Sequence, residues 1–257
     1  MGTGGLGSIP SGPTKMEPTK LIYLENWNLL EDAASVLGVL DENGKTVVVL
    51  DRTIFYPQGG GQPYDKGMIV GTNGEFAVDE VRFADGIVKH IGSFTKNTFN
   101  IGEAVKCSVE KKRRALMSRL HSAGHIVDMA LKKLDINWIP GKGFHFPEGP
   151  YVEYKGDLSQ LDKEELKTDL EKSCNDIIKA GMETRMVFMS AEEMKTRDGS
   201  TTPNVPAGKP GRIVMYGDFG IPCGGTHVNN LSEIGSFTIR KIKAEGENIR
   251  IGYDVAR

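Results

Sequence analysis

Residues 121–125 read HSAGH and residues 223–227 read CGGTH, and these two stretches decide how the chain must fold. Each stretch places two metal-binding side chains four positions apart, and about a hundred residues separate the two pairs. Neutral imidazole and thiolate are the ligands that zinc prefers, and three imidazoles with one thiolate make a tetrahedral set. The sequence therefore predicts a fold that holds one zinc ion with His121, His125, Cys223 and His227.

The first pair lies within a helical pattern that runs from Glu110 to about Leu134. Side chains at positions i and i+4 share one face of a helix, so His121 and His125 point the same way. Asp128 falls on that face one turn later, where a carboxylate can orient a ligand imidazole. The apolar stripe lies on another face and consists of Leu116, Leu120, Ala123, Val127 and Leu134.

The role of the metal stays open at this point. A lone HxxxH or CxxxH motif is weak, and the prediction of a metal depends on the two occurring together. A closed set of four protein ligands is typical of structural zinc, whereas a catalytic zinc keeps one position for water or substrate. The ligand types are compatible with either kind of site.

Composition sets the broad class of the protein. The chain has 257 residues, with 39% hydrophobic and 26% charged residues, which is typical of a soluble globular protein of one large or two modest domains. A net charge of -2 gives no overall signature of nucleic-acid binding, so any RNA contact must come from a local patch. Three widely spaced cysteines, Cys107, Cys174 and Cys223, argue against a disulfide framework and favour a reducing, cytoplasmic compartment. No apolar stretch is long enough to span a membrane.

Three segments are predicted along the chain. Residues 1–15 are rich in Gly, Ser and Pro and are interpreted as a disordered leader or a tag. Residues 16–108 show short apolar runs separated by turns, which predicts a small antiparallel β-barrel. Residues 109–257 mix helical and strand patterns around the HSAGH and CGGTH motifs and are predicted to form an α/β zinc-binding domain. The fold class is therefore α+β.

Residues 55–67 (FYPQGGGQPYDKG) form a glycine-rich segment within the predicted barrel. One interpretation is a plain surface loop. The other is a backbone that approaches a ligand closely through Gly59, Gly60 and Gly61, with Gln58 and Gln62 as polar contacts. No Lys-Ser/Thr pair follows the glycines, which excludes a Walker phosphate loop.

A cluster of basic residues begins the histidine helix: Lys111, Lys112, Arg113, Arg114 and, one turn later, Arg119. Such a run is usually a solvated helix face. Because it lies just before the predicted metal ligands, it is also a candidate site for RNA phosphates.

The rest of the second half contains further elements. A hairpin is predicted at 139–154, and an amphipathic helix at 161–180 with Gly181 as its C-terminal stop. We expect a strand at 183–189, a short helix at 191–197, a loop at 198–210, a strand at 212–216 and a closing hairpin at 235–255. His145 is interpreted as a spare histidine that does not bind the metal.

Taken together, these motifs resemble the editing domain of alanyl-tRNA synthetase and the freestanding AlaX editing proteins. The matching stretches are FYPQGGGQPYDKG at 55–67, HSAGH at 121–125, GKGFHFPEGPYVEY at 141–154, CGGTHV at 223–228 and EIGSFTI at 233–239. Their order is highly specific, and the matches span nearly everything after residue 16. The chain resembles the longer AlaX type, with a β-barrel before the zinc-bearing domain.

The resemblance implies hydrolysis of the ester that joins a wrong amino acid, serine or glycine, to alanine tRNA. It further implies a catalytic zinc site with His121, His125 and Cys223 at its centre, in which the metal activates water or holds the terminal ribose. The partner would be the acceptor stem and 3′ end of mischarged alanine tRNA, bound by a monomer. The residues implied in substrate binding are Gln58, Gly59, Gly60, Gly61, Gln62, Gly141, Lys142, Gly143 and Thr226.

Selectivity requires a polar contact, because serine differs from alanine by one hydroxyl. An apolar pocket discriminates against an added hydroxyl by only about 10²-fold, so a donor or acceptor must meet that group. Two other functions compete with editing. One is a tRNA-binding module in which zinc is structural and hydrolysis is lost. The weaker one is a metallopeptidase or amidase, because the helix lacks the Glu that HExxH proteases carry directly after the first His.

Overall fold

The computed structural model describes residues 16–190, 192–193 and 211–256. The predicted leader at 1–15 lies outside the described residues, as do the predicted loop at 198–210 and all but two residues of the predicted helix at 191–197. No helix in the described part of the chain is both long and apolar enough to cross a membrane.

The first half of the described chain is built mainly from strands. Its elements are Lys20–Leu21 (β1), Ile22–Glu25 (α1), Glu31–Glu42 (β2), Lys45–Leu50 (β3), Arg52–Thr53 (β4), Gly67–Gly71 (β5), Glu75–Ala84 (β6), Ile87–Lys96 (β7) and Ala104–Val109 (β8). Six of them close into an antiparallel barrel in the order β2-β3-β7-β6-β5-β8. The prediction of a small antiparallel barrel is therefore confirmed.

Turn chemistry explains the register of the first hairpin. Asn43 and Gly44 connect β2 to β3 with φ angles of 56° and 77°, the left-handed backbone that Asn and Gly tolerate best. Alternate residues of β6 and β7 are buried, so one face of each strand fills the barrel while the other faces solvent.

The run Lys20–Leu24, one of the short apolar runs of the first half, does not form one continuous strand. Only β1 is extended, where it pairs in parallel with β4, and the chain then turns into the single-turn helix α1. The turn buries Ile22 in the barrel core and sets the ring of Tyr23 edge-on to Tyr56, with 5.3 Å between centroids. Tertiary packing has overridden a local strand preference here.

The second half packs helices against two sheets. Its elements are Lys111–Lys133 (α2), Ile139–Phe144 (β9), Tyr151–Lys155 (β10), Lys163–Ala180 (α3), Thr184–Met189 (β11), Gly211–Tyr216 (β12), Phe219–Pro222 (β13), Phe237–Glu245 (β14) and Asn248–Val255 (β15), with a 3₁₀ turn at Leu231–Ile234. Strands pair in the order β14-β15-β10-β9 in one sheet and β11-β12-β13 in the other. Helix α3 ends as predicted at Gly181, whose φ is 69°.

The described residues form two main apolar cores. One fills the barrel, and the other lies between α2, α3 and the sheet formed by β9, β10, β14 and β15. The loop that follows β4 carries the glycine-rich segment away from the barrel and onto α2. Asp65 at the end of this loop forms an ion pair with Arg114, and both side chains are buried. This junction is where the candidate site lies.

Candidate metal and substrate site

The structure brings the two predicted ligand pairs together. His121 and His125 lie one turn apart on α2, and Cys223 and His227 follow β13 in the CGGTH turn. One ligand atom from each of the four residues lies within 4.8 Å of every other. The Sγ atom of Cys223 is 3.3 Å from Nε2 of His121.

Unpaired polar atoms test whether this cluster fits a metal ion. The Nε2 atoms of His125 and His227 are buried and have no hydrogen-bond partner among the described residues. Buried polar atoms in native proteins are nearly always partnered, so two orphans in one cluster need an explanation. A zinc ion bound by three imidazoles and one thiolate provides it, and the donor set fits.

The electrostatics of the cluster favour the zinc-binding form of three of its four residues and the protonated form of His125. Burial holds the pKa of His121 and of His227 well below the usual histidine value, so both rings are neutral. Burial opposes ionisation of Cys223, but the neighbouring His125 ring and the Arg212 guanidinium together outweigh burial and lower the thiol pKa. Burial likewise lowers the pKa of His125, but the neighbouring Asp128 and Cys223 together outweigh burial and raise it to about 9. Zinc binding would therefore release a proton from the His125–Cys223 pair.

Each imidazole is oriented from behind by another side chain. Nδ1 of His121 donates to Oε1 of Gln62 over 2.8 Å, which leaves Nε2 of His121 as the free ligand atom. Nδ1 of His227 lies 3.0 Å from the Tyr216 hydroxyl. Nδ1 of His125 lies 3.5 Å from a carboxylate oxygen of Asp128, the partner that the helix pattern predicts for it. Such partners fix the ring orientation of metal ligands.

Gln62 and Thr226, both predicted to bind substrate, lie beneath His121 and are fully buried. Oε1 of Gln62 also accepts from the backbone amide of Thr226, and Nε2 of Gln62 donates to the Thr226 hydroxyl. The Ser118 hydroxyl also donates to the hydroxyl oxygen of Thr226. In this structure their contacts support the metal cluster, and direct contact with substrate stays a prediction.

The glycine-rich loop reaches the second half through Gly61. Gly60 and Gly61 have φ angles of 52° and 77°, and the carbonyl of Gly61 accepts a hydrogen bond from the amide of His145 over 2.8 Å. A Cβ on Gly61 would lie 2.2 Å from the carbonyl oxygen of Gly143, so only glycine permits this approach. The predicted site residues of the loop and of β9 therefore meet at Gly61 and Gly143.

The other predicted substrate residues lie around this contact. Gln58 is half-buried, and its backbone amide donates to Val81. The hydroxyl of Tyr56 donates to the carbonyl of Gly59 over 2.8 Å and steadies the loop. Gly141 and Lys142 are exposed on β9. Whether these residues touch substrate remains a prediction.

The CGGTH turn is held by Arg212, which the sequence interpretation missed. Its guanidinium donates to the carbonyls of Cys223 and Gly225, and it stacks over Trp27 at 5.2 Å from the ring centroid. Arg212 is the second residue of β12, shortly after the predicted loop at 198–210, and no motif distinguishes it from a surface arginine. A Cβ on Gly225 would lie 2.1 Å from the His121 ring, which explains the second glycine of the motif.

The basic residues of α2 separate into three environments. Lys111 and Lys112 are exposed, and Arg113 lies over the Tyr64 ring at 5.4 Å from its centroid.

Arg114 is only 4% exposed and donates to Asp65 and to the carbonyls of Trp27 and Ile54. The structure therefore departs from the prediction that Arg114 contacts RNA. Arg119 donates to the carbonyl of Ile234. Lys111, Arg119 and His227 line a cavity of about 240 Å³.

His145 lies beside the cluster, although it is not one of the four grouped ligands. Its ring stacks on that of His121 with 4.4 Å between centroids and an interplanar angle of 21°. Burial, with a smaller contribution from His125, lowers its pKa to about 3, so the ring is neutral. The sequence offered only the position of this histidine within the matching segment at 141–154.

Comparisons with known proteins give two family matches and a set of relatives. The family described as "tRNA synthetases class II (A)" matches residues 24–113, and "Threonyl and Alanyl tRNA synthetase second additional domain" matches residues 212–251. The alanyl-tRNA editing protein AlaX-L of Pyrococcus horikoshii is 30% identical over 231 residues, covering 89% of this chain and 55% of that protein.

Two alanine–tRNA ligases give matches of similar strength. That of Clostridioides difficile is 32% identical over 221 residues, covering 80% of this chain and 23% of the ligase. That of Methanobrevibacter smithii is 30% identical over 235 residues, covering 87% of this chain and 25% of the ligase. The chain thus spans about half the length of AlaX-L and about a quarter of the ligases.

Proposed function

Since this chain belongs to the family that includes the alanyl-tRNA editing protein AlaX-L and a segment of the alanine–tRNA ligases, we propose that it hydrolyses the ester joining serine or glycine to alanine tRNA. The observation that carries the proposal is the convergence of four zinc-type ligand atoms within 4.8 Å, next to a glycine-rich loop from the other half of the chain. Neither the helix motif nor the CGGTH turn alone would support it.

The metal-binding residues in this proposal are His121, His125, Cys223 and His227. A bound zinc ion supplies Lewis acidity, which polarises an ester carbonyl or activates a water. The protein contributes orientation: Gln62, Tyr216 and Asp128 each contact the Nδ1 side of one imidazole, and Arg212 holds the turn that carries the thiol.

Backbone amides are the proposed groups for the charge that develops on the ester. When water adds to the carbonyl carbon, the carbonyl oxygen becomes negative, and the ribose oxygen then leaves with a proton. The amides of Gly60 and Gly61 donate to no acceptor among the described residues. Amides fixed in advance and aimed at a developing oxyanion stabilise it strongly, and we assign this role to the loop.

The proposed contacts to tRNA are electrostatic. Lys111 and Lys112 are exposed at the start of α2, and Arg119 lines the cavity that borders His227. Lysine and arginine at such positions neutralise phosphates of the acceptor end and position the ester at the cluster.

One observation favours a second function. All four cluster residues are positioned so that they could bind one ion, and a closed set of four protein ligands is typical of structural zinc. In that case the protein would bind tRNA through the same basic residues without releasing an amino acid.

A single assay separates the two functions. Pure protein is incubated with alanine tRNA charged with serine, glycine or alanine, and release of the labelled amino acid is followed over time. The editing proposal predicts rapid release of serine and glycine, with alanine spared. Protein that contains zinc and binds tRNA but releases no amino acid would be the binding module instead.

A further inference from the structure

His145 makes hydrogen bonds that fix which of its ring nitrogens carries the proton. Its Nδ1 lies 2.7 Å from the hydroxyl oxygen of Tyr253, and that hydroxyl donates its single proton to the carbonyl of Leu120 over 2.8 Å. The hydroxyl oxygen can therefore only accept from His145, so Nδ1 carries the hydrogen. Among the described residues no carboxylate is bonded to this buried ring, and an unpaired buried charge is costly, so the ring is neutral. Nε2 is then a pure acceptor.

This acceptor has no hydrogen-bond partner among the described residues. The ring of His145 contacts the Tyr253 hydroxyl through Nδ1, stacks on His121 and lies tilted against the Tyr253 ring, while its backbone amide donates to Gly61. The bond from Nδ1 to Tyr253 accounts for a histidine at this position. It leaves the lone pair of Nε2 unexplained.

Three glycines make room around the ring. A Cβ on Gly143 would lie 2.4 Å from Nε2, one on Gly124 would lie 2.4 Å from Cε1, and one on Gly61 would lie 3.2 Å from Cδ2. These glycines come from β9, from α2 and from the barrel loop, so three backbones lie against the ring where side chains would clash with it. Glycine at these positions lets the ring sit beside the metal cluster.

We propose that His145 contacts the aminoacyl group of the substrate by accepting a hydrogen bond at Nε2. This inference rests on the proposed editing function and names a contact for it. The donor is a group of the amino acid itself, either the α-ammonium that serine and glycine share or the β-hydroxyl that serine alone carries. His145 is not among the four residues whose ligand atoms group together.

The test compares His145→Phe, which keeps most of the ring volume but removes both the Nε2 acceptor and the Nδ1 donor to Tyr253, with His145→Gln, whose amide supplies both an acceptor and a donor. Hydrolysis of seryl- and glycyl-tRNA is measured together with binding of amide-linked seryl- and glycyl-adenosine, which cannot be hydrolysed. We expect His145→Phe to lose about ten- to hundredfold in both activity and analogue binding, and His145→Gln to recover part of it. Loss for serine alone identifies the β-hydroxyl as donor, and loss for both identifies the α-ammonium.

Zinc content and the unfolding midpoint are measured on every variant. Unchanged activity and analogue binding in His145→Phe would overturn the proposal, and so would a loss fully accounted for by missing zinc or by unfolding. If the wild type hydrolyses neither substrate, the editing function fails. His145 is then judged on analogue binding alone, where equal affinities of wild type and His145→Phe would reject the contact.

Discussion

Gln62 in the barrel loop accepts a 2.8 Å hydrogen bond from Nδ1 of His121 on α2, so one half of the chain orients a ligand imidazole in the other. The same oxygen accepts from the amide of Thr226 in the CGGTH turn. One amide side chain thus connects three segments that lie far apart in the sequence, and the metal cluster depends on their correct assembly.

Replacing Gln62 with alanine should lower zinc affinity by about ten- to hundredfold, because His121 loses the partner that fixes its ring. Competition with a chelating dye measures the affinity. Gln58→Ala is the control, since Gln58 is half-buried and makes no side-chain hydrogen bond to the cluster in the described structure. Equal affinities in Gln62→Ala and wild type would contradict this role. A loss of activity limited to seryl-tRNA would instead show that Gln62 reads the serine hydroxyl.

The two glycines of the CGGTH turn should respond very differently to alanine. A Cβ on Gly225 would lie 2.1 Å from His121 and 2.9 Å from Gln62, whereas the nearest neighbour of a Cβ on Gly224 is a side-chain atom of Leu24 at 3.9 Å. We therefore expect Gly225→Ala to purify with little zinc and Gly224→Ala to keep its full content. Elemental analysis of both proteins, with circular dichroism to confirm folding, decides the matter. Similar zinc contents would mean that the turn can shift.

Much of this arrangement was predictable because it depends on local patterns. Ligands four residues apart on a helix, the Asn43-Gly44 turn and the stop at Gly181 each follow from backbone geometry that neighbouring residues determine. The pairing of the two distant ligand pairs could be predicted from their ligand types and from the resemblance to the editing family. The role of Arg212 could not be predicted, since its acceptors are backbone carbonyls, and any residue can present a carbonyl at any point along the chain.

His145 and Arg114 show the other limit of a sequence pattern. A helix places Arg114 on the same face as the ligands, but whether it meets solvent or Asp65 depends on where the barrel loop returns. His145 looks like any histidine beside a strand until Tyr253, over a hundred residues later, fixes its proton. Both depend on contacts between distant segments, which periodicity does not encode.

His90 should make the barrel sensitive to acid. Burial lowers its pKa from the usual 6.5 to about 4, and its nitrogens are engaged by the Val48 carbonyl and the Thr53 hydroxyl. Because the folded-state pKa lies below the unfolded one, the unfolded chain binds the proton more tightly. Stability is therefore full above pH 6.5 and falls as the pH drops towards 4, by roughly 3 kcal/mol in total.

Urea unfolding of wild type and His90→Gln between pH 7.5 and 4 tests this prediction. Other groups titrate in both proteins, so the informative quantity is the difference in the free energy of unfolding between them. That difference should shift in favour of His90→Gln as the pH falls through 6.5. A difference that is independent of pH would show that His90 takes up its proton equally well in the folded barrel.

Removing Lys111 and Lys112 together should weaken binding to any tRNA and reduce its salt dependence. Each lost contact to a duplex phosphate lowers the slope of log K against log salt by about 0.9. Lys163 and Lys172 on α3 are also exposed and provide a matched pair for alanine substitution. If the variant without Lys111 and Lys112 and the variant without Lys163 and Lys172 show equal slopes, the α2 lysines do not contact phosphates and belong to an ordinary solvated helix face.

Arg114→Ala should destabilise the protein by about 3–5 kcal/mol, because it leaves the fully buried Asp65 without its cation. Arg114 also donates to the carbonyls of Trp27 and Ile54, so its loss frees the barrel loop from α2. Arg113→Ala is the control, since its partners are the Tyr64 ring and carbonyl at a half-buried position. Urea unfolding measures both variants. If Arg114→Ala lowers the free energy of unfolding by less than about 1 kcal/mol and also reduces the salt slope of tRNA binding, Arg114 contacts RNA and does not stabilise the junction.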